Sequence, residues 1–528
     1  MLAGTISSVG SHYLVALMAM NCQNGDELAS AAVEAENREK VLYALQRAGN
    51  QLRQGLGESL ASVSRYNKPL PEATTSSLEA LKAYSDAIAT SRPEALGALQ
   101  RAVELDPNFA LAWAGLGARY NNFGQHALAK ASYTRAYALR NRVSERERFY
   151  IEAHYYEGAT GELPKAVQAY QQWIQAYPQD FTPYGNLGND YALMGYYDLA
   201  ASATHQAVQL SPDFVTFNGN LESDYVATNR LQDARALYDN AVARGVDGVA
   251  LHFARYCVAF LEGDTRTMQQ QVAWASERPG AEDWLLSAES DTAAYFGRLS
   301  KAHDFSQSAA DSAKRSGTAE TAALWEMNEA LRLGELGYPD RARREASRAL
   351  TLAEEPDVKL MAALVFARSD DAADAGRLAD SLNRGFPSNT LMQSYWLSTI
   401  RAAIQLDGAN CARAIELLRQ TKPYELGTTD IFQVGTMYPV YLRGLIYLKD
   451  GQADSAAAEF QRILDHRGVV VNFVFSALAH LQLARARALS HDDDSSRKAY
   501  RDFLTLWRGA DPEVPILKQA KAEYAKLY

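Results

Sequence analysis

The chain has 528 residues, more than one hydrophobic core usually supports, so it predicts several domains or a solenoid whose units pack only against their neighbours. Hydrophobic residues make up 47% of the chain and charged residues 22%, a composition that excludes wholesale disorder. The formal net charge of −10 disfavours nucleic acid as a direct partner, because an acidic surface repels phosphate backbones.

The first 64 residues predict a small α/β segment. Turn signals at Gly10-Ser11 and Asn24-Gly25 bound predicted strands over 5–7, 13–20 and 27–33, of which 13–20 is a continuous apolar run, and helical spacing follows over 36–56. A segment this small leaves a sheet edge and a sheet face uncovered. We therefore interpret it as the tail of a larger α/β domain, with a small capping domain as the alternative.

The apolar run over 13–20 is too short to span a bilayer, and no longer apolar run occurs, so we predict no transmembrane segment. No Lys or Arg precedes this run, which favours a buried strand over an export signal. Cys22, Cys257 and Cys411 form neither a CxxC motif nor a zinc spacing, and they leave the redox compartment open. We predict a cytoplasmic location from these features.

Residues that tolerate a positive φ angle recur with one period in the middle of the chain. They are Gly161, Gly195, Asn229, Gly263 and Gly297, each 34 residues after the last. Equal spacing of this kind predicts one helix–turn–helix unit repeated along the chain. Beyond these positions the period loosens. Later turns are predicted at Gly337, Gly408 and Gly451.

Large and small residues alternate around these turns as two packed helices require. Large side chains fill the groove between helices, small residues let the backbones approach, and proline ends a unit. The predicted packing positions are Trp113, Leu116, Gly117, Tyr120, Ala129, Tyr133, Ala136, Tyr184, Leu187, Gly188, Tyr191, Ala200, Ala207 and Pro212, with Gly124 at the first turn. This pattern resembles the tetratricopeptide repeat (TPR), a pair of antiparallel helices.

The repeat pattern predicts an all-α fold, a right-handed TPR superhelix. This α-solenoid of about twelve helix pairs would follow the small N-terminal α/β remnant. We predict a linker over 65–76, a regular TPR array over 77–316, and degenerate TPR-like helical repeats over 317–528.

Five sequence phrases point to a more specific resemblance. They span 56–60, 75–84, 142–148, 279–284 and 515–521. Together they resemble the C-terminal repeat region of bacterial TPR-containing serine/threonine protein kinases and of similar winged-helix regulators. In that family the repeats are the sensory or docking part, they follow an effector domain, and they can lie outside the cytoplasm. The resemblance therefore implies a functional link to such a kinase.

The chain departs from that family because it has no glycine-rich phosphate loop, no VAIK-like lysine, and no HRD or DFG motif. Kinase activity is therefore not expected. His154 is interpreted as a packed core histidine, and the run His491–Asp494 as a solvated loop. We predict no catalytic residue, no cofactor and no metal ion.

The inner face of the superhelix is the expected binding surface, because first helices of successive pairs line it. Register places Asn121, Asn122, Asn189 and Ser223 there, and Asn side chains can donate to and accept from a peptide backbone. Solvent-exposed helix surface is the alternative interpretation of these residues. The predicted function is a non-catalytic scaffold or sensor that binds a protein or peptide. The detached regulatory arm of a kinase or transcriptional regulator is the alternative.

Overall fold

A computed structural model of the chain describes residues 1–60, 63, 74–88, 94–122, 125–408, 410–429 and 434–527. The chain forms two compact units, residues 1–160 and 161–528. Most of the predicted linker over 65–76, together with Gly124, lies outside the described residues. The domain boundaries predicted from the sequence remain predictions.

The first unit opens with a three-stranded antiparallel sheet in the order β1–β2–β3. The strands are β1 (Leu2–Val9), β2 (His12–Met20) and β3 (Glu27–Ala35), and α1 (Val41–Gly55) follows them. The three strands predicted from turn signals and apolar runs, and the helix predicted from helical spacing, are confirmed. They form because β2 and β3 alternate small apolar residues on one face, which α1 then covers.

Only one face of this sheet is covered. Val15 and Val33 pair across β2 and β3 and are buried with α1 in one small core. On the opposite face Leu14 is 43% exposed, and on the edge strand β1 Leu2 and Ile6 are 72% and 53% exposed. The sequence thus predicted an incompletely covered sheet, and its interpretation as part of a larger domain remains a prediction.

Five α-helices follow α1 among the described residues of the first unit. They are α2 (Leu78–Ile88), α3 (Glu94–Leu105), α4 (Ala110–Asn122), α5 (His126–Leu139) and α6 (Glu145–His154), which a π-helical segment (Tyr155–Thr160) continues. A capping box begins α6, because the Ser144 side chain accepts from the Glu147 amide while the Glu147 carboxylate accepts from the Ser144 amide.

The described residues of the second unit form helices joined by turns and loops, with no strand among them. Its first helices are α7 (Leu163–Ala176), α8 (Phe181–Leu193), α9 (Tyr197–Leu210), α10 (Val215–Ala227), α11 (Leu231–Ala243), α12 (Val249–Glu262), α13 (Thr265–Ala275), α14 (Glu282–Tyr295), α15 (Leu299–Arg315), α16 (Ala319–Glu335) and α17 (Pro339–Ala349). The later ones are α18 (Pro356–Ala367), α19 (Ala372–Gly385), α20 (Ser398–Asp407), α21 (Cys411–Leu418), α22 (Tyr438–Lys449), α23 (Ala453–Asp465), the short α24 (Arg467–Val470), α25 (Val474–Leu489), α26 (Asp493–Leu506) and α27 (Pro515–Ala525).

Among the described residues, consecutive helices pack as pairs within each unit: α2–α3 and α4–α5 in the first, and nine pairs from α8–α9 to α25–α26 in the second, with α24 before the last pair and α27 after it. This succession confirms the predicted all-α solenoid of about twelve TPR-type pairs with a small N-terminal sheet. Among the described residues, no helix combines the length and the apolar character that crossing a membrane requires.

The turn residues have the backbone conformation that their period predicted. The φ angles of Gly161, Gly195, Asn229, Gly263 and Gly297 are 68°, 81°, 59°, 75° and 72°. Each lies in the left-handed region, which glycine and asparagine enter at low cost. Among the later turns, Gly337 and Gly451 share this conformation, whereas Gly408 ends α20 with a φ of −70°.

Candidate binding site: an inner cavity of the second unit

Most of the predicted packing positions lie inside helix pairs. Leu116, Gly117, Tyr120, Ala129, Tyr133, Ala136, Leu187, Gly188, Ala200 and Ala207 are buried; Trp113, Tyr184 and Tyr191 are half-buried; Pro212 is exposed. The fit between large and small residues is tight in the first unit. A Cβ atom on Gly117 would lie 2.7 Å from Cδ1 of Tyr133, so this site requires glycine.

The prolines that end units have a second role. The Pro107 carbonyl oxygen accepts from the Trp113 indole N–H over 3.1 Å. The Pro178 and Pro212 carbonyl oxygens accept from the Tyr184 hydroxyl and the Asn218 amide in the same way. In all three cases the donor lies six residues further on, in the helix that follows the proline. The contact therefore fixes the start of each of these helices.

His154 and the run His491–Asp494 could suggest a chemical site in the sequence, but in the structure both make contacts that stabilise helices. His154 is held by a 2.8 Å contact between its Nδ1 atom and the Tyr150 carbonyl oxygen, and burial lowers the pKa of its imidazole. In the run His491–Asp494, the Asp492 carboxylate accepts from the Ser495 amide and begins α26.

The four predicted binding residues fall in different surroundings. Asn121 is exposed at the end of α4 in the first unit, and the side chain of Asn122 lies outside the described part of the structure. Asn189 and Ser223 are half-buried and line one cavity of the second unit, with a volume of about 290 Å³. We call this space the inner cavity. The participation of all four residues in binding remains a prediction.

One wall of the inner cavity is built from first helices of successive pairs: α8, α10, α12 and α14. Asn189, Ser223, Cys257 and Asp291 line it at equivalent positions, each 34 residues after the last. The sequence register predicted only Asn189 and Ser223 as binding residues. The repeat period that located the turns could have located Cys257 and Asp291 as well, by continuing the register from Ser223.

The opposite wall comes from the C-terminal half of the same unit. Thr428, Thr429 and the segment 468–473, which we call the closing segment, line the cavity there. The Thr428 amide donates to the Ala192 carbonyl oxygen over 3.0 Å, and the Asn472 side-chain amide donates to the Ala288 carbonyl oxygen over 2.9 Å. Along this stretch the predicted groove is therefore covered by the chain itself. The repeat period of the sequence did not predict these contacts, because they join residues more than a hundred positions apart.

Glycines let this wall approach closely. Gly468, at the start of the closing segment, lies against the Val226 carbonyl oxygen so tightly that a Cβ atom would overlap it, and Gly427 lies against the Leu193 carbonyl oxygen in the same way. Two independent segments thus contact the C-terminal ends of α8 and α10 through their backbones.

Two carboxylates line the inner cavity, and no Lys, Arg or His is among its described lining residues. Asp224 is 3% exposed, and its Oδ2 atom accepts from the Thr204 hydroxyl over 3.2 Å. Burial raises the pKa of the Asp224 carboxyl well above its ordinary value. Its Oδ1 atom makes no hydrogen bond to any described residue. No cationic side chain among the described residues pairs with Asp224, so the protein supplies no counter-ion for the charged form of this carboxyl.

Asp291 differs because it has a cationic partner. Its Oδ1 atom accepts from the Arg332 guanidinium over 2.5 Å and from the Asn328 amide over 3.0 Å. Burial raises the pKa of the Asp291 carboxyl, and the Arg332 charge opposes that rise. Arg332 also donates to Ser290 and Ser306 and borders a second cavity of about 500 Å³ between α15, α16 and the loop over 511–514. A buried polar network thus separates the two cavities.

Aromatic rings complete the lining of the inner cavity: Phe253, Trp284, Trp325 and Phe473. Phe253 and Trp284 meet edge to face with ring centroids 5.7 Å apart. The Trp325 indole N–H donates to the Asp283 carboxylate over 3.1 Å, which fixes that ring. The cavity therefore combines one carboxyl without a cationic partner among the described residues, several amides and hydroxyls, and aromatic rings, a composition suited to binding a ligand.

No protein-family model matches the sequence, and no curated protein is significantly similar to it. Several solved structures share a general likeness. Yeast Tom70 is 13% identical to this chain, and the match covers 79% of this chain and 95% of the Tom70 chain with a TM-score of 0.31. Human IFIT1, solved as a dimer with m7Gppp-AAAA, is 14% identical; the match covers 70% of this chain and 86% of the IFIT1 chain with a TM-score of 0.37. YrrB, a TPR protein with an unusual peptide-binding site, is 14% identical over 43% of this chain and 97% of its own, with a TM-score of 0.19. Likeness at this level supports no conclusion about the function of this chain.

Proposed function

We propose that the chain is a non-catalytic interaction module that binds a protein or peptide partner at the inner cavity of its second unit. The observation that supports this function is the inward row of Asn189, Ser223, Cys257 and Asp291, which four successive helix pairs direct into one space. A stack of repeats presents side chains at a fixed spacing, and that spacing suits recognition of another chain.

The closing segment limits the way in which a partner binds. A space of about 290 Å³ is smaller than an extended peptide needs, and it lies at the lower end of the range for small-ligand sites. One or two side chains of a partner therefore enter the cavity while the rest of the partner lies outside it. Asn189 and Ser223 are half-buried and border the solvent-accessible part of the space.

A matched pair of arginine substitutions tests this function. Asn189→Arg places a bulky cation at the cavity, whereas Gln206→Arg places the same group on the exposed face of α9. Partners are captured from lysate of the source cell and identified by mass spectrometry, with circular dichroism to verify folding. We expect Asn189→Arg to abolish capture of a saturable partner and Gln206→Arg to preserve it. Equal capture by both folded variants would refute the cavity as the binding site.

The function as a detached sensory arm of a serine/threonine kinase or transcriptional regulator is a narrower form of the same proposal. It rests on sequence resemblance alone, over phrases such as 142–148 and 515–521. A kinase or winged-helix reading frame directly upstream of the coding sequence would support it, and an unrelated upstream neighbour would count against it.

A further inference from the structure

We infer that the inner cavity binds a positively charged nitrogen group on an apolar stem, an ammonium or guanidinium that pairs with Asp224 while its stem lies among the aromatic rings. This inference rests on the proposed function and specifies the chemistry of the group that the cavity accepts. A lysine or arginine side chain of a partner and a free small amine share this chemistry.

The charge inside the cavity is the first argument. Among the described lining residues, Asp224 and Asp291 are the carboxylates, and a cationic side chain, Arg332, neutralises only Asp291. Among the described residues, only the Thr204 hydroxyl donates a hydrogen bond to the Asp224 carboxyl. A buried carboxylate without a cation is costly to the fold, and a bound cation removes that cost. The site therefore favours a cation over a neutral or anionic ligand.

The hydrogen-bonding capacity of the two carboxylates is the second argument. Asp224 and Asp291 each use one oxygen in hydrogen bonds to described residues, and the other oxygen of each makes none. Neither of these free oxygens is fully enclosed by protein atoms, although both residues are more than nine-tenths buried. An ammonium offers three N–H donors and a guanidinium five, so either group can satisfy an acceptor that lacks a partner.

The aromatic lining is the third argument and explains the apolar stem. Phe253, Trp284, Trp325 and Phe473 border the same cavity as Asp224. Ring faces attract cations and also bury methylene groups, so they bind an aliphatic ammonium more strongly than a hydrated inorganic cation. A volume of about 290 Å³ holds a group the size of a lysine or arginine side chain but excludes a folded element.

Calorimetric titration of the full chain with matched probes tests the inference. The probes are n-pentylamine, with 1-pentanol as its neutral match, and Nα-acetyl-lysine amide, with Nα-acetyl-norleucine amide as its neutral match. We expect each cationic probe to bind at least about tenfold more tightly than its neutral match, since hydrogen bonds to charged groups carry free energies of that order. Equal affinity within each pair would overturn the inference without any substitution. Binding of n-pentylamine alone identifies a free amine as the source, and binding of the lysine derivative identifies a side chain.

Substitution locates the binding group. Asp224→Asn keeps the shape and removes the charge, while Asp198→Asn does the same at an exposed site on α9. We expect Asp224→Asn to lower the affinity for the cationic probe by about tenfold or more and Asp198→Asn to leave it unchanged. Probe binding that survives in folded Asp224→Asn would overturn the assignment.

The outcomes separate this inference from the proposed function. If wild-type protein captures a partner but binds none of the cationic probes, the inference fails and the interaction function stands. If the cationic probes bind in the Asp224-dependent manner but no partner is captured, the cation site stands and the protein–protein function fails.

Discussion

The Asn472 side-chain amide donates a hydrogen bond to the Ala288 carbonyl oxygen over 2.9 Å, across 184 residues of sequence. The same amide donates to the Thr292 hydroxyl over 3.0 Å. Both acceptors lie on α14, one of the four helices that form the first wall of the inner cavity. The closing segment is therefore attached to the wall it covers by a buried side chain, not only by apolar packing.

We expect Asn472→Ala to lower the free energy of unfolding of the second unit by about 1–3 kcal/mol, because it leaves the Ala288 carbonyl oxygen without this donor in a buried site. Urea denaturation followed by tryptophan fluorescence measures the change. Gln206→Ala, on the exposed face of α9, serves as the control. An unfolding free energy equal to that of the control would show that the hydrogen bond does not hold the closing segment.

The approach of Gly468 to the Val226 carbonyl oxygen gives a steric test of the same closure. A Cβ atom at this position would overlap that oxygen, so we expect Gly468→Ala to cost about 1–3 kcal/mol and to speed amide hydrogen exchange over 468–473. Gly376→Ala is the matched substitution, because Gly376 lies in α19 with open space around it. There we expect a gain of about 0.5–1 kcal/mol from the lower flexibility of the unfolded chain. Similar effects at both positions would contradict the close contact.

The repeated turns offer a conformational test that involves no packing. Gly263 has a φ of 75°, and no atom lies within 4 Å of the position its Cβ would occupy. We expect Gly263→Ala to lower the free energy of unfolding by about 1–2 kcal/mol, because the substitution adds the strain of a left-handed backbone at alanine and no steric overlap. Asn229 holds the equivalent position with a φ of 59°, so Asn229→Gly should change stability by less than about 0.5 kcal/mol. Thermal denaturation of both variants checks the pair, and a harmless Gly263→Ala would mean that this turn relaxes freely.

The burial of Glu222 predicts that the free energy of unfolding depends on pH. This residue is fully buried on α10, and neither carboxylate oxygen has a hydrogen-bond partner in the part of the chain that the structure describes. Burial raises the pKa of Glu222 well above the ordinary value despite the charge of Arg255. The folded state therefore binds the proton more tightly than the unfolded state does. The contribution of this group to stability is present at acidic pH and is lost as pH rises through the folded pKa.

Glu222→Gln removes that titration while keeping the side-chain shape. We expect the melting temperature of the variant relative to wild type to be higher at pH 8 than at pH 5. In the wild type the unfolded state ionises Glu222 and folding must restore its proton, which costs more free energy as pH rises, whereas the variant has no such cost. The exposed Glu104→Gln controls for the general effect of removing a charge. A difference from wild type that is the same at both pH values would contradict the buried, protonated carboxyl.

Local features of the molecule could be predicted from the sequence because they depend on near neighbours. The positive φ at Gly195 and Asn229 follows from which residue types tolerate that conformation. A short apolar run over 13–20, bounded by turn residues, predicts the strand β2. The number of helix pairs follows from the 34-residue period. For the same reason, continuing that period would have placed Cys257 and Asp291 beside Asn189 and Ser223.

The character of the binding site was decided only by tertiary structure. The position of Asn472 against Ala288 depends on the small rotations between many successive helix pairs, which add up over 184 residues and which no local pattern encodes. The same is true of Asp224, whose charge would be solvated on an exposed helix but which here is buried beside a cavity that the closing segment also lines. The sequence by itself thus determined the repeat, its turns and its inward register. The folded chain determined that the inward surface is an enclosed acidic and aromatic cavity, because the desolvation of a carboxylate depends on everything that packs around it.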